Sequence, residues 1–133
     1  MIHLGAALLC DAATVRENVV HILGGGITQL TRPDYPAPLA ADIALVLYVD
    51  GTPGTEVQHK VKGACYLSET DDSVFEFEID LVTQLVDGLG AQSVSIVIPA
   101  SGFGIPDAGR YEIKLTVDDI PLGSIPFSAA RPS

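Results

Sequence analysis

From Gly109 to Ser128 the chain reads GRYEIKLTVDDIPLGSIPFS, and the spacing of its side chains leaves few options. Tyr111, Ile113, Leu115 and Val117 alternate with Glu112, Lys114, Thr116 and Asp118. A period of two puts one set of side chains in a core and the other in water, the mark of a half-buried β-strand. Asp118-Asp119 supplies a turn, and Ile120 to Phe127 runs back as the second arm of an antiparallel hairpin. The rest of the chain then has to supply further strands that cover the hairpin's apolar face.

The return arm breaks its own parity. Ile120 and Leu122 are apolar at even positions, Ile125 and Phe127 at odd ones, and Pro121 and Pro126 also differ by an odd number. One extra residue resolves both mismatches, so a β-bulge is expected at Gly123-Ser124. It places the four apolar side chains on one face and turns both prolines toward an unpaired side, as in an edge strand.

The remaining segments repeat the pattern. Ile2 to Asp11 reads as a first strand, with GAALLC open to either a strand or a short helical turn, and Thr14 to Asn18 as a connection. Val19 to Thr31 is rich in β-branched residues, and Gly24-Gly25-Gly26 in its middle marks a bulge, a sharp bend or a close backbone approach. Arg32 to Pro38 carries three prolines and reads as a loop. Ala40 to Asp50 is nearly all apolar, as a strand covered on both faces would be. Gly51-Thr52-Pro53-Gly54 is a turn, Glu56 to Ser68 and Val74 to Leu81 alternate, and Thr70 to Ser73 joins them. Val82 to Gly90 is open between strand extension and a loop with a helical turn. Gln92 to Pro99 is a strand and Ser101 to Ala108 a Gly/Pro loop. About eight short strands with regular turns and little or no helix predict an all-β fold, an Ig-like or jelly-roll-like antiparallel β-sandwich. No repeat or internal boundary divides residues 1–133, so a single domain is expected.

Composition narrows the function. The chain has 133 residues, 47% hydrophobic and 18% charged, against the ~25% charged residues of ordinary soluble domains. The apolar excess calls for a generous core or for burial between subunits. A net charge of -10 with seven basic residues supplies no dense positive patch, which argues against nucleic acid and anionic membranes as partners. No run approaches the ~20 apolar residues of a membrane-spanning helix. MIHLGAALLC lacks the basic start of a signal peptide, and Leu9 precedes Cys10 where a lipoprotein signal needs a small residue, so a cytoplasmic protein is expected.

No residue set stands out as catalytic. Gly24-Gly25-Gly26 lacks the Gly-Lys-Ser/Thr ending of a phosphate loop and the spacing of a dinucleotide fingerprint. Cys10 and Cys65 sit in apolar runs and read as buried structural thiols. His3, His21 and His59 fall on predicted strands without a tight ligand spacing, so a zinc site would need the fold to gather them. Ser101-Gly102 lacks the context of a nucleophile elbow. Asp71, Asp72, Asp118 and Asp119 lie in two turns, where aspartate is a common turn former and also a calcium ligand when enough oxygens converge. No cofactor is expected.

Leu8-Leu9-Cys10-Asp11, then Val20-His21-Ile22-Leu23-Gly24-Gly25-Gly26, a proline-containing loop before an apolar strand, and Gly109-Arg110-Tyr111 ahead of Val117-Asp118 resemble a family of short bacterial proteins classed as a domain of unknown function. Arg16-Glu17-Asn18 stands where that family carries a Gly-Lys turn. The resemblance implies a small β-rich domain with no established activity and no catalytic residue to carry over. The expected function is a non-enzymatic module that binds protein, itself included, through sheet faces or an edge such as the N-terminal strand. The alternative is a small-ligand or calcium-binding module built from Pro99 to Ala108 with Asp71-Asp72.

Overall fold

The computed structural model describes residues 2–51, 53–86 and 92–133. In chain order the strands are β1 (Ile2–Arg16), β2 (Val19–Gly25), β3 (Gln29–Thr31), β4 (Ala37–Pro38), β5 (Asp42–Val49), β6 (Glu56–Leu67), β7 (Asp72–Gln84), β8 (Gln92–Ile98), β9 (Gly104–Ile105), β10 (Gly109–Val117) and β11 (Ile120–Ala130). The described residues contain no helix. The all-β expectation holds, but among the described residues eleven strands in three sheets replace the expected eight or so. The additional ones, β3, β4 and β9, are two or three residues long, too short to show a period.

Four strands form one sheet in the order β2-β1-β5-β8, five form another in the order β3-β11-β10-β6-β7, and β4 pairs with β9. The inner faces of the two large sheets share one core. Leu9, Ile43, Leu45 and Leu47 come from the first sheet and meet Val61, Cys65, Tyr111, Ile113 and Leu115 from the second. Within it the Tyr111 and Phe127 rings stack at 5.3 Å, as expected for residues directly opposite on β10 and β11. As its composition suggested, β5 is covered on both faces: Ile43, Ala44, Leu45 and Leu47 are all buried.

The first hairpin is longer than expected. GAALLC is strand, and β1 continues through Thr14 and Arg16 to a turn at Glu17-Asn18. Its first half pairs with β5 and its second half with β2, so the hairpin extends past β5 and curls over the sheet. Val19 to Thr31 is not one strand. Gly24 and Gly26 take φ of 61° and 85°, values that only glycine adopts readily, and there the chain leaves β2 for β3 in the other sheet. Of the ambiguous Val82 to Gly90 segment, β7 takes the part up to Gln84. Residues 87–90, and Thr52 of the expected turn, lie outside the described residues.

The Gly109–Ser128 hairpin forms with a two-residue turn in which Asp118 and Asp119 both have positive φ, 49° and 66°. Its bulge is one residue earlier than expected. Leu115 lies opposite Gly123 and Thr116 opposite Pro121, which leaves Leu122 as the extra residue. Ile120 faces the same side as Val117 but overhangs the core at the hairpin tip and stays 65% exposed. The edge reading of β11 holds only over residues 120–127. Residues 128–130 pair with β3, in parallel, so the expected purely antiparallel arrangement is also corrected.

Candidate functional site

Four edges bound the two large sheets, and three of them are blunted. On β7, Asp72, Glu76, Glu78 and Asp80 put charge along the outer strand. On β11, Pro121 and Pro126 withhold donors over the stretch that β3 leaves open; β3 itself has three residues. On β8 the blunting comes from a distance. The β1–β2 turn curls onto its outer side, where Asn18 Nδ2 donates to the Ser93 carbonyl and the Ser95 amide donates to Asn18 Oδ1 at 3.3 Å. Ser95 Oγ donates to the Asn18 carbonyl at 3.2 Å. One asparagine thus satisfies backbone groups that an added strand would use. These are the recognised ways by which sheets avoid pairing with other chains.

The fourth edge, β2, has none of them. Its seven residues, VVHILGG, include no proline and no acidic or basic side chain other than His21. Among the described residues, β1 is its sole strand partner. The sequence has no Asp or Glu from residue 18 to residue 33. Side chains alternate across the hairpin. Val20 and Ile22, opposite Val15 and Ala13, are half-buried, while Val19 and Leu23, on the other face with His21, are 57% and 72% exposed. A shallow groove of about 620 Å³ runs along this hairpin, lined by Ala12, Thr14, Arg16, His21 and Leu23. An apolar edge strand without proline or charge is a template for a further strand.

Apart from His21, which is on β2, the candidate residues fall elsewhere, and the two acidic pairs do not converge. Asp71-Asp72 close the β6–β7 turn beside Leu67, whereas Asp118 pairs with Lys60. Seven residues of β6 separate the two turns, about 23 Å at ~3.3 Å per residue. Asp118 accepts from His59 Nδ1 at 2.8 Å and from the Lys60 amide at 2.9 Å, contacts that hold its carboxyl below the usual aspartate range. Asp119 meets Lys62 Nζ at 3.4 Å. His3 lies 3.5 Å from Asp50, His59 is committed to Asp118, and His21 is on β2. Among the described residues, no three His, Cys, Asp or Glu side chains form a cluster able to hold a metal. The loop from Pro99 to Ala108 does come beside Asp72. Phe103 stacks on Phe75 at 4.4 Å, and Gly104 and Pro106 share a shallow hollow with Asp72 and Ser73. Asp107 in that loop is tied to the Ala108 amide and to Arg131, which lower its carboxyl in that order.

The thiols are inert by position. Cys10 and Cys65 are free, fully buried and in different sheets. Burial, and then the carboxylates of Asp42 and Asp11, raise the Cys10 thiol; burial pushes Cys65 up to about 12. All three lysines lie on β6 and β10, and each has a partner: Lys60 meets Glu78 at 2.8 Å, Lys62 meets Asp119, and Lys114 stands 5.0 Å over the Tyr66 ring. Sequence reading missed the β2 edge as a candidate site. Its signal is the run without Asp or Glu from residue 18 to 33, but that run becomes an edge only once the partners of every other strand are known.

The sequence model of the Family of unknown function (DUF6941) matches residues 5–130 of the 133, and the chain belongs to that family. No curated protein and no solved structure matches it. No helix among the described residues is long and apolar enough to cross a membrane.

Proposed function

Because membership of a family of unknown function assigns no activity, we propose from surface geometry that this chain is a non-enzymatic module that binds protein by taking a partner's strand onto the open edge of β2. One observation carries the reading. β8, β11 and β7 are blunted by an asparagine, by prolines and by carboxylates, and β3 is short, while β2, which nears β8 next to the Asn18 turn, has no proline, carboxylate or lysine along its seven residues. A chain with three managed edges and one open edge uses the open one. The reading assigns no catalysis to the thiols, which are buried and raised, or to His59, which is held by Asp118. The parent architecture is read as a sandwich of the two large sheets. Their shared core supports this, as does the Tyr111 hydroxyl donating to the Asp107 carbonyl at 2.7 Å, a tie to the backbone four residues upstream that recurs in such folds. Two unpaired buried thiols favour a reducing, cytoplasmic setting.

The test compares wild type with Leu23→Lys as bait, using extract of the native host that also contains a differently tagged copy of the chain. Leu23 is 72% exposed, so the variant keeps its fold, which circular dichroism verifies. The reading requires at least one partner, the chain itself included, to be retained by wild type and lost from the variant. Identical retention on both baits would sink it.

A further inference from the structure

Resting on that reading, we infer that the strand taken up by β2 is the β2 of a second copy, paired antiparallel about a two-fold axis at His21. Charge is the first argument. The molecule carries a net charge of -10, so two copies repel least where carboxylates are fewest. A copy approaching β7 meets Asp72, Glu76, Glu78 and Asp80. A copy approaching β2 meets a strand with no acidic residue of its own, in a run without one from residue 18 to 33, flanked by Asp11 beside Gly24 and by Glu17 in the turn.

Register is the second argument. A two-fold interface is isologous, so residue i of one copy must suit residue j of the other and the reverse. Val19 and Leu23 lie two residues on either side of His21, share one face and are the most exposed apolar side chains of the strand. Pairing about His21 sets each Val19 opposite the other copy's Leu23 and covers all four at once. On the opposite face, Val20 and Ile22 meet in the same reciprocal way. Asn18, whose side chain is held on β8, falls opposite Gly24, where the Asp11 carboxylate lies alongside. The two four-stranded sheets become one continuous eight-stranded sheet through backbone bonds that β2 otherwise leaves to water. A single strand pair buries less than the ~1,200 Å² of stable interfaces, so the dimer is reversible and depends on concentration.

Two measurements on the full chain decide it. Light scattering from ~10 µM to ~1 mM, a range suited to a weak interface, is expected to rise from 13.9 kDa toward twice that mass, and Leu23→Lys is expected to stay at 13.9 kDa. His21→Cys under mild oxidant is expected to give a covalent dimer at least ten-fold faster than Ile120→Cys, an exposed control on β11, while Cys10 and Cys65 are too buried to compete. A wild type that remains monomeric, a dimer that survives Leu23→Lys, or equal cross-linking at both positions overturns the inference. If wild type is monomeric and the Leu23→Lys bait still loses a different protein, the edge reading stands and the second copy does not.

Discussion

Asn18 at the tip of the first hairpin and Ser95 on the far strand of the same sheet are joined by two hydrogen bonds, 3.3 and 3.2 Å, across 77 residues of sequence. This contact closes the curl of the sheet and seals one of its two edges, which leaves β2 as the open one. Asn18 also sits at φ of 60°, in a turn whose other residue, Glu17, has φ of 52°. Two roles are therefore combined in one residue, and they separate by substitution. Asn18→Gly keeps the backbone and removes the side chain, with an expected loss of about 1 kcal/mol for hydrogen bonds of this kind. Asn18→Ala adds the cost of a left-handed β-carbon, about 1 kcal/mol more. Urea unfolding should rank wild type above Asn18→Gly and Asn18→Gly above Asn18→Ala. A glycine variant as stable as wild type would mean that the bonds of the Asn18 side chain to the Ser93 carbonyl and the Ser95 amide contribute nothing.

Gly63 on β6 is matched to Phe77 on β7. The two are directly opposite, and a β-carbon at residue 63 would lie 2.0 Å from the Phe77 ring. The ring leans across the space the glycine leaves, a way of covering a bare stretch of sheet. Gly63→Ala should displace the ring and cost about 2 kcal/mol, the usual price of overpacking. Because the clash needs both partners, Gly63→Ala placed on a Phe77→Leu background should cost at least ~1 kcal/mol less than in wild type. A double-mutant cycle from denaturation midpoints measures that coupling, and additive costs would place the strain elsewhere.

Cys65 predicts an alkaline limit to stability. Burial pushes its thiol up to about 12, while an unfolded cysteine titrates near ~8.5. Between those values the folded chain keeps a proton that the unfolded chain has lost, so stability falls as pH rises through that window. Tyr111, whose hydroxyl is also raised by burial, adds to the same slope at the upper end. Cys65→Ala should be less stable at neutral pH, because it leaves a small cavity, yet show a shallower decline from pH ~9 to ~11. Parallel slopes for the two proteins would exclude Cys65 as the source. Iodoacetamide should label neither native cysteine at pH ~8 at a rate near that of the unfolded chain.

What the sequence disclosed follows from which interactions are local. The alternation of Tyr111, Ile113, Leu115 and Val117 reports a face, and a face is a property of adjacent residues, so the two arms and the turn of the final hairpin are legible. Its bulge was legible only as a parity: one extra residue must fall between Pro121 and Ile125, and alternation does not say which, so Leu122 was missed by one position. The change of sheet at Gly24 and Gly26 was visible as a bend but not as an exit, because β3 pairs with β11, nearly a hundred residues away, and three residues carry no period. The β2 edge was hidden for the same reason. VVHILGG looks like any apolar strand until Asn18 is seen capping β8 and Pro121 and Pro126 capping β11.

Asp118 supplies the corresponding acid limit, and its substitution distinguishes charge from turn chemistry. Its carboxylate accepts from His59, whose ring is 13% exposed, and from the Lys60 amide, and so ties the β10–β11 turn to β6. Those contacts hold the folded carboxyl below its ordinary value, His59 contributing first and the Lys60 amide second. An unfolded aspartate titrates near ~3.9, so the stabilisation is present above that pH and is lost as pH falls through the lower folded value. Asp118→Asn preserves the turn, since asparagine tolerates the φ of 49°, and it keeps an oxygen for the Lys60 amide while removing the charge. Wild type should exceed Asp118→Asn in urea midpoint at pH ~6, and the gap should close between pH ~4 and ~2 as the wild-type carboxyl takes up its proton. If the gap is constant across that range, the contribution of Asp118 is geometric, and the charge of its carboxylate adds nothing.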